Sequence, residues 1–193
     1  MIEHMYSFLP YVVFFVLLLF FEGSSTRNLY VGSSLKIYQF GGQLYISQGE
    51  PKIVFDDGMG ITTFSYLSNH MLFVSCLGEC STRVYIPSTT KIQIEGGGDF
   101  LHVQDIDHVH VDMNNVNAEI QEPQHLYFRL GKGNLRLDST HTQSIDAIVA
   151  QGNIFSFFTG PYHNIKNIRS LLGETQIYFD ESYSNMDKSI NED

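Results

Sequence analysis

The chain has 193 residues and a formal net charge of −10, from 21 acidic and 11 basic residues. Hydrophobic residues make up 43% of it, so one domain of ordinary size with a real core is expected. Lysine and arginine form no cluster, which argues against nucleic acid and anionic membrane surfaces as partners.

Residues 1–25 are predicted to be a signal peptide that lies outside the fold. They contain an almost entirely apolar run, Phe8 to Phe21, which is followed by small residues. No Lys or Arg precedes the run, which is not typical of a signal peptide. The alternative is an uncleaved membrane anchor over residues 8–21, although that is shorter than the roughly twenty residues of a span. We therefore expect export to the periplasm, the outer surface or the extracellular space, with membrane contact only through this segment if it is uncleaved.

The domain itself is predicted at residues 26–179 as a repeat of strand, glycine or asparagine turn, and strand. Its first units are Leu35 to Gln48 and Ile53 to Phe64, and the Asp57-Gly58 pair in the second predicted a β hairpin. Later turns are spaced by 16 to 21 residues, which is typical of a stacked β architecture. These turns are Gly98-Asp99, Asn114-Asn115, Gly133-Asn134, Gly152-Asn153 and Gly173-Glu174.

The unit at residues 126–137 shows how each repeat is expected to fold. Leu126, Phe128 and Leu130 alternate with polar residues, and Leu135 and Leu137 can share their face after the turn. Side chains alternate between the two faces of a strand, so this pattern predicts two half-buried strands. One such coil cannot bury its apolar face alone. The predicted fold is therefore all-β, a single-domain β-solenoid-like stack.

Both cysteines, Cys76 and Cys80, lie between two predicted strands. The three residues between them include a glycine, so a hairpin could place the two thiols opposite each other. In an oxidising compartment they would close as a disulfide. Two free thiols in the core and half of a metal site are the alternatives.

The segment Arg83-Val84-Tyr85-Ile86-Pro87, Lys91 to Ile94, Gly96-Gly97-Gly98-Asp99 and Leu101-His102-Val103 resembles the bacterial DUF4097 family and the related auto-transporter adhesin head domains. The resemblance extends over about residues 35–179 and is specific from Val84 onward. It implies a β-solenoid-like stack in an exported or surface protein, with no catalytic residues to carry over. The chain departs from the pattern where Asn114-Asn115 replaces a glycine, and where residues 99–112 are rich in acids and histidines.

One row of side chains could bind a metal ion. His108, His110 and Asp112 alternate along a predicted strand and so project from one face. Two histidines and a carboxylate are a usual ligand set for zinc and similar ions. The competing interpretation is a solvent-facing polar row with Val109 and Val111 in the core.

We therefore expect a non-enzymatic exported domain, adhesin-like or scaffolding, that binds an unknown protein or surface partner and needs no cofactor. A metal-binding protein or metal-dependent enzyme using His108, His110 and Asp112 is the alternative, and a membrane-anchored jelly-roll structural protein is a third. Phe155 and Phe157 are expected to pack in the core, and the alternative is an exposed apolar patch suited to binding a partner. Residues 180–193 are predicted to be an acidic flexible tail.

Overall fold

A computed structural model describes residues 25–29, 31–56, 61–67, 70–159 and 165–180. The predicted signal peptide lies outside the described residues except for Ser25, and the predicted acidic tail does so except for Asp180. Among the described residues, no helix is long and apolar enough to span a membrane.

The described chain forms β strands in close succession, which confirms the predicted all-β class. Their bounds are β1 Ser25–Asn28, β2 Ser34–Phe40, β3 Gln43–Gln48, β4 Lys52–Asp56, β5 Ile61–Leu67, β6 Met71–Leu77, β7 Ser81–Ile86, β8 Lys91–Gly97, β9 Phe100–Gln104, β10 His108–Asn115, β11 Asn117–Gln121, β12 His125–Lys132, β13 Leu135–Ser139, β14 Ser144–Gln151, β15 Ile154–Phe158, β16 Ile165–Leu172 and β17 Thr175–Phe179.

These strands are shared between two sheets. A nine-stranded sheet, here sheet A, has the order β1-β4-β7-β3-β9-β11-β13-β15-β17. An eight-stranded sheet, sheet B, has the order β16-β14-β12-β10-β8-β2-β6-β5. From β8 to β17 the chain alternates between the sheets, so each pair of consecutive strands makes one coil of a two-sided solenoid.

Parallel pairing stacks each coil on the one before it. His108 of β10 pairs with Lys91 of β8 and with His125 of β12. His125 pairs in turn with Ser144 of β14, a step of 19 residues. Glu174 lies 21 residues after the asparagine that it contacts in the preceding coil. The repeat length read from the turns is therefore the length of one coil.

The order of the coils near the N-terminus was not expected. The coil of β2 and β3 lies between the coil of β6 and β7 and the coil of β8 and β9. Strands β1, β4 and β5 pair antiparallel to their neighbours at that end of the two sheets. The expected hairpin of β4 and β5 is wrong, because β4 belongs to sheet A and β5 to sheet B.

The core lies between the sheets, and the alternating apolar residues line it as predicted. Phe128, Leu135 and Leu137 are fully buried, and Leu126 and Leu130 are nearly so. The expectation that Phe155 and Phe157 pack in the core is wrong. Phe157 is 43% exposed and Phe155 is partly exposed, because both point away from the core on the outer face of sheet A. Ile154, Ser156 and Phe158 on the same strand are the buried ones.

The glycine and asparagine turns form ladders at one corner of the stack. Gly133, Gly152 and Gly173 have positive φ angles of 133°, 139° and 155°. A Cβ at Gly152 would collide with the carbonyl oxygen of Gly133, and a Cβ at Gly173 with that of Gly152. Only glycine fits here, because the stacked backbones leave no room for a side chain.

The side chains of Asn117, Asn134 and Asn153 link neighbouring coils at this corner. The backbone N–H of Asn153 donates to Oδ1 of Asn134 at 2.9 Å, and that of Glu174 donates to Oδ1 of Asn153 at 2.9 Å. The N–H of Asn134 donates to Oδ1 of Asn117 at 3.2 Å. Each side chain therefore accepts a hydrogen bond from a backbone N–H group of the next turn, which would otherwise have no acceptor at the corner.

Cys76 and Cys80 are paired as a disulfide, which is one of the three arrangements that the sequence left open. The two cysteines are 8% and 5% exposed. The bridge does not close a hairpin, because Cys76 lies near the end of β6 in sheet B and Cys80 directly precedes β7 in sheet A. It therefore links the two sides of one corner.

Candidate functional site

Parallel, in-register pairing places equivalent side chains of successive coils in rows that cross the strands. Two rows lie next to each other on the outer face of sheet B. The first row contains Lys91, His108, His125 and Ser144. The second row contains Gln93, His110, Tyr127 and Asp146.

A depression of about 380 Å³, here called the groove, lies on the outer face of sheet B along these rows. Seven polar residues line it: Lys91, His108, His110, His125, Tyr127, Ser144 and Asp146. The apolar residues Ile92, Val109, Leu126 and Ile145 complete the lining. Its size lies at the lower end of the range found for small-ligand sites, which is about 300–1,000 Å³.

The first row is built around two stacked imidazoles. The rings of His108 and His125 lie 4.6 Å apart between centroids and 12° from parallel. Nδ1 of His125 lies 2.9 Å from Oγ of Ser144, which fixes the orientation of the ring. The pKa of His108 is lowered from 6.5, first by burial and then by the positive neighbours His125 and Lys91. Asp107 acts in the opposite direction.

In the second row, two rings and an ion pair contact one another. The ring of His110 lies 4.4 Å from that of Tyr127, and the guanidinium of Arg129 lies 4.1 Å from the Tyr127 centroid. Arg129 also donates from Nη2 to Oδ2 of Asp146 at 2.7 Å and from Nη1 to the carbonyl oxygen of Asp146 at 3.1 Å. A guanidinium held by a carboxylate, a carbonyl and a ring is firmly oriented.

The second carboxylate oxygen of Asp146 is left without a partner. Oδ1 is buried and accepts no hydrogen bond from the residues that the structure describes. A buried acceptor without a donor costs free energy, of the order of 1–3 kcal/mol.

Some lysines and arginines near the groove form ion pairs with carboxylates, and one does not. Lys36 pairs with Glu95 at 2.8 Å, and Arg129 with Asp146 at 2.7 Å. Among the described residues, Lys91 has no carboxylate within ion-pair distance, and its side chain is exposed. One end of the groove therefore carries a lysine charge that is not used within the fold.

The predicted metal row is placed as expected on one outer face, but its side chains are engaged separately. His108 stacks on His125, His110 lies against Tyr127, and Asp112 is exposed on the same strand. The described residues contain no group of three or more His, Cys, Asp or Glu that could hold a metal ion. His102 lies on the other sheet, with Nδ1 3.5 Å from Oε2 of Glu119.

His125 was missed as a partner of His108, because the two residues are far apart in sequence. The signal that could have found it is the repeat itself. His108-Val109-His110-Val111 aligns with His125-Leu126-Tyr127-Phe128 one coil later, and parallel pairing stacks equal positions. The roles of Lys91 and Asp146 follow from the same alignment. His141 is exposed outside these rows, and His163 lies outside the described residues.

Comparison with known proteins leaves the family open. No protein-family model and no curated protein matches the chain, so the resemblance to DUF4097 is not confirmed. Among solved structures, the chain is similar to a candidate cell adhesion protein from Clostridium sporogenes. The identity is 11% and the TM-score 0.42, over 82% of this chain and 99% of the other. A likeness this distant carries no argument about function.

Proposed function

We propose that this chain is a non-enzymatic binding module that is exported to the cell envelope and holds its ligand in the groove on sheet B. The observation that carries the proposal is the lining of the groove. It combines a stacked histidine pair with an exposed lysine that has no carboxylate partner among the described residues, on rigid, neighbouring strands. Side chains on strands of a stacked sheet are held more precisely than side chains on loops.

Binding is favoured over catalysis by the state of the acidic group in the groove. Arg129 occupies Asp146 twice: Nη2 donates to its Oδ2 in an ion pair, and Nη1 donates to its backbone carbonyl oxygen. A general acid or base instead needs free access to the proton it transfers. The groove is also open to solvent rather than closed over a reacting centre.

Export is supported by two independent features. Cys76 and Cys80 form a disulfide, and such bonds persist mainly in oxidising compartments. The N-terminal sequence has the apolar run and small residues of a cleaved signal peptide. Together these favour a location in the periplasm, at the outer surface or outside the cell.

Two measurements test this proposal. The intact mass of the protein from its own host should lack about the first 25 residues, and alkylation without reductant should label neither cysteine. The purified protein should then bind host envelope preparations saturably, and the double variant K91M/H125A should bind less. The variant K132M is the matched control, because Lys132 is exposed at the other end of the strand that carries His125. A full-length chain with two free thiols, or equal binding by both variants, would overturn the proposal.

A further inference from the structure

We propose that two copies of this chain join end to end through their last coils, with β16 of each copy pairing antiparallel with β17 of the other. The last coil forms the C-terminal end of the stack, where β16 is the edge strand of sheet B and β17 is the edge strand of sheet A. This inference goes beyond the proposed function, because it concerns the end of the stack and not the groove.

The core is open at this end of the stack. Thr175 and Ile177 of β17 continue the buried rows of Ile154 and Ser156, yet Ile177 is 38% exposed. Among the described residues, nine large apolar side chains are exposed, and five of them belong to the last coil: Leu171, Leu172, Ile177, Tyr178 and Phe179. No further coil of the described chain lies beyond them.

The opposite end of the stack is closed. Strands β1, β4 and β5 pair antiparallel there, and the inward side chains of Ile53 and Phe55 are buried. Thr26, Arg27 and Asn28 of the edge strand β1 are exposed and polar. Since the core of the described chain is open at the C-terminal end and closed at the other, the contact joins two equal ends about a two-fold axis and does not run head to tail.

The edge of β17 offers backbone hydrogen-bonding groups as well as apolar side chains. The carbonyl oxygen of Glu174 and the N–H of Asp180 form hydrogen bonds with β15, so these groups face the preceding coil. Backbone groups alternate in direction along a strand, and those of Thr175 and Ile177 therefore point out of the end of the stack. Such an edge is a template for pairing with a strand of another chain.

The register of the contact follows from the last turn. The N–H of Ser170 donates to Oγ1 of Thr175 at 2.8 Å, so these two residues lie opposite each other across the coil. Two residues further from the turn on each strand, Ile168 lies opposite Ile177, and Ile168 packs against the core. A two-fold axis parallel to the strands then places Ile168 of each copy beside Ile177 of the other. The apolar core of one stack thereby continues into the next.

Charge favours this arrangement over one in which β17 pairs with its own copy. In the proposed register the exposed Arg169 lies opposite Gln176 of the second copy and diagonal to its Glu174, at about 7–8 Å, which an arginine side chain can span. Glu174 lies beside Gln176, whose Nε2 donates to its Oε2 at 3.3 Å. Pairing β17 with itself about Ile177 would instead place Glu174 opposite Asp180 of the second copy, and two acidic residues repel each other.

The contact is large enough for a specific dimer. Strand β16 has 8 residues and is therefore about 26 Å long, and the two sheets with their outer side chains are about 20 Å thick. Each copy thus contributes about 500 Å², and the dimer buries about 1,000 Å² in total, which meets the lower limit for a specific interface. The exposed apolar side chains of the last coil supply the centre of this area.

Sedimentation equilibrium of the purified full chain over a concentration series tests the inference. The mass should rise to twice that of one chain. The variant I177K should stay monomeric, because it places two like charges at the centre of the contact. The variant L77K is the matched control and should dimerise like the wild type, since Leu77 is a 74% exposed apolar residue on β6 near the other end of the stack. Circular dichroism verifies that both variants fold.

A charge exchange tests which strands pair. The variant R169E should raise the dissociation constant of the dimer about fivefold, because two exposed ion pairs become like-charge pairs. The double variant R169E/E174R should restore the affinity, because the two charges are exchanged. If the double variant dimerises no better than R169E, the pairing of β16 with β17 is wrong.

Hydrogen exchange at the amide of Ile177 tests what covers the end. Its protection should increase as the concentration and the dimer fraction rise. Protection of this amide in a monomer would show that another part of the same chain covers the end, and would overturn the inference. A wild type that stays monomeric at all concentrations, or an I177K variant that dimerises as the wild type does, would overturn it as well.

Discussion

The imidazole rings of His108 and His125 stack face to face at 4.6 Å, although the two residues belong to successive coils. Burial, His125 and Lys91 lower the pKa of His108 below 6.5, so the fold favours its neutral form. Below that pH the unfolded chain binds more protons than the folded protein. Stability is therefore expected to fall as the pH falls.

The measurement is urea unfolding between about pH 7.5 and about pH 5, the range in which histidines titrate. The variant H108F keeps an aromatic ring for stacking but cannot take up a proton. Its unfolding midpoint should fall less on acidification than that of the wild type. Identical pH profiles for the two proteins would show that the pair does not set the pH dependence.

The disulfide should stabilise the corner between the two sheets by a modest amount. The two cysteines are only 4 residues apart, and a short loop loses little entropy on closure. Replacing both with serine should lower the free energy of unfolding by about 2 kcal/mol. Reductant should destabilise the wild type by a similar amount and leave the double variant unchanged. If reductant leaves the free energy of unfolding of the wild type unchanged, no disulfide has formed.

Two adjacent phenylalanines on β15 test which face of sheet A is buried. Phe158 is 1% exposed and Phe157 is 43% exposed on the outer face, where it stacks on Tyr178 at 4.9 Å. The variant F158A should lose about 3–5 kcal/mol of stability, because it leaves a cavity in the core. The variant F157A should lose only about 0.5–1.5 kcal/mol from the ring pair. Thermal or urea unfolding compares them, and equal losses would mean that the assigned faces are wrong.

The asparagine ladder should contribute to stacking of the last coils. Oδ1 of Asn153 accepts from the backbone N–H of Glu174 at 2.9 Å. The variant N153A removes that acceptor and should cost about 0.5–1.5 kcal/mol. The variant N153D keeps an acceptor at the same place and should cost less. Hydrogen exchange at the amide of Glu174 monitors this hydrogen bond directly. Unchanged protection of that amide in N153A would show that the hydrogen bond to Asn153 is not formed.

Sequence alone predicted the fold class, because each repeat can be recognised from residues that are close together in the chain. Alternation in Leu126, Phe128 and Leu130 separates two faces of a strand, and a glycine with positive φ marks the turns at Gly133, Gly152 and Gly173. These signals depend on a few neighbouring residues and on the constant geometry of a strand.

Predictions from short sequence patterns failed where the same pattern fits two different strand pairings or either face of a strand. The Asp57-Gly58 pair is typical of a hairpin, yet β4 and β5 belong to different sheets. The exposure of Phe157 was misjudged for a similar reason, because an aromatic residue suits either face of a strand and alternation does not say which face is covered.

The sequence by itself determined the all-β class, the alternation of apolar and polar residues along the strands, and the length of one coil. Only the tertiary structure decided which coils are neighbours, including the placement of β2 and β3 between coils that follow them in the chain. It also decided the candidate site, because Lys91, His108, His125 and Asp146 come from four coils and meet only through the register of parallel strands. That register is set by burying the whole core together, and no single segment of the sequence contains it.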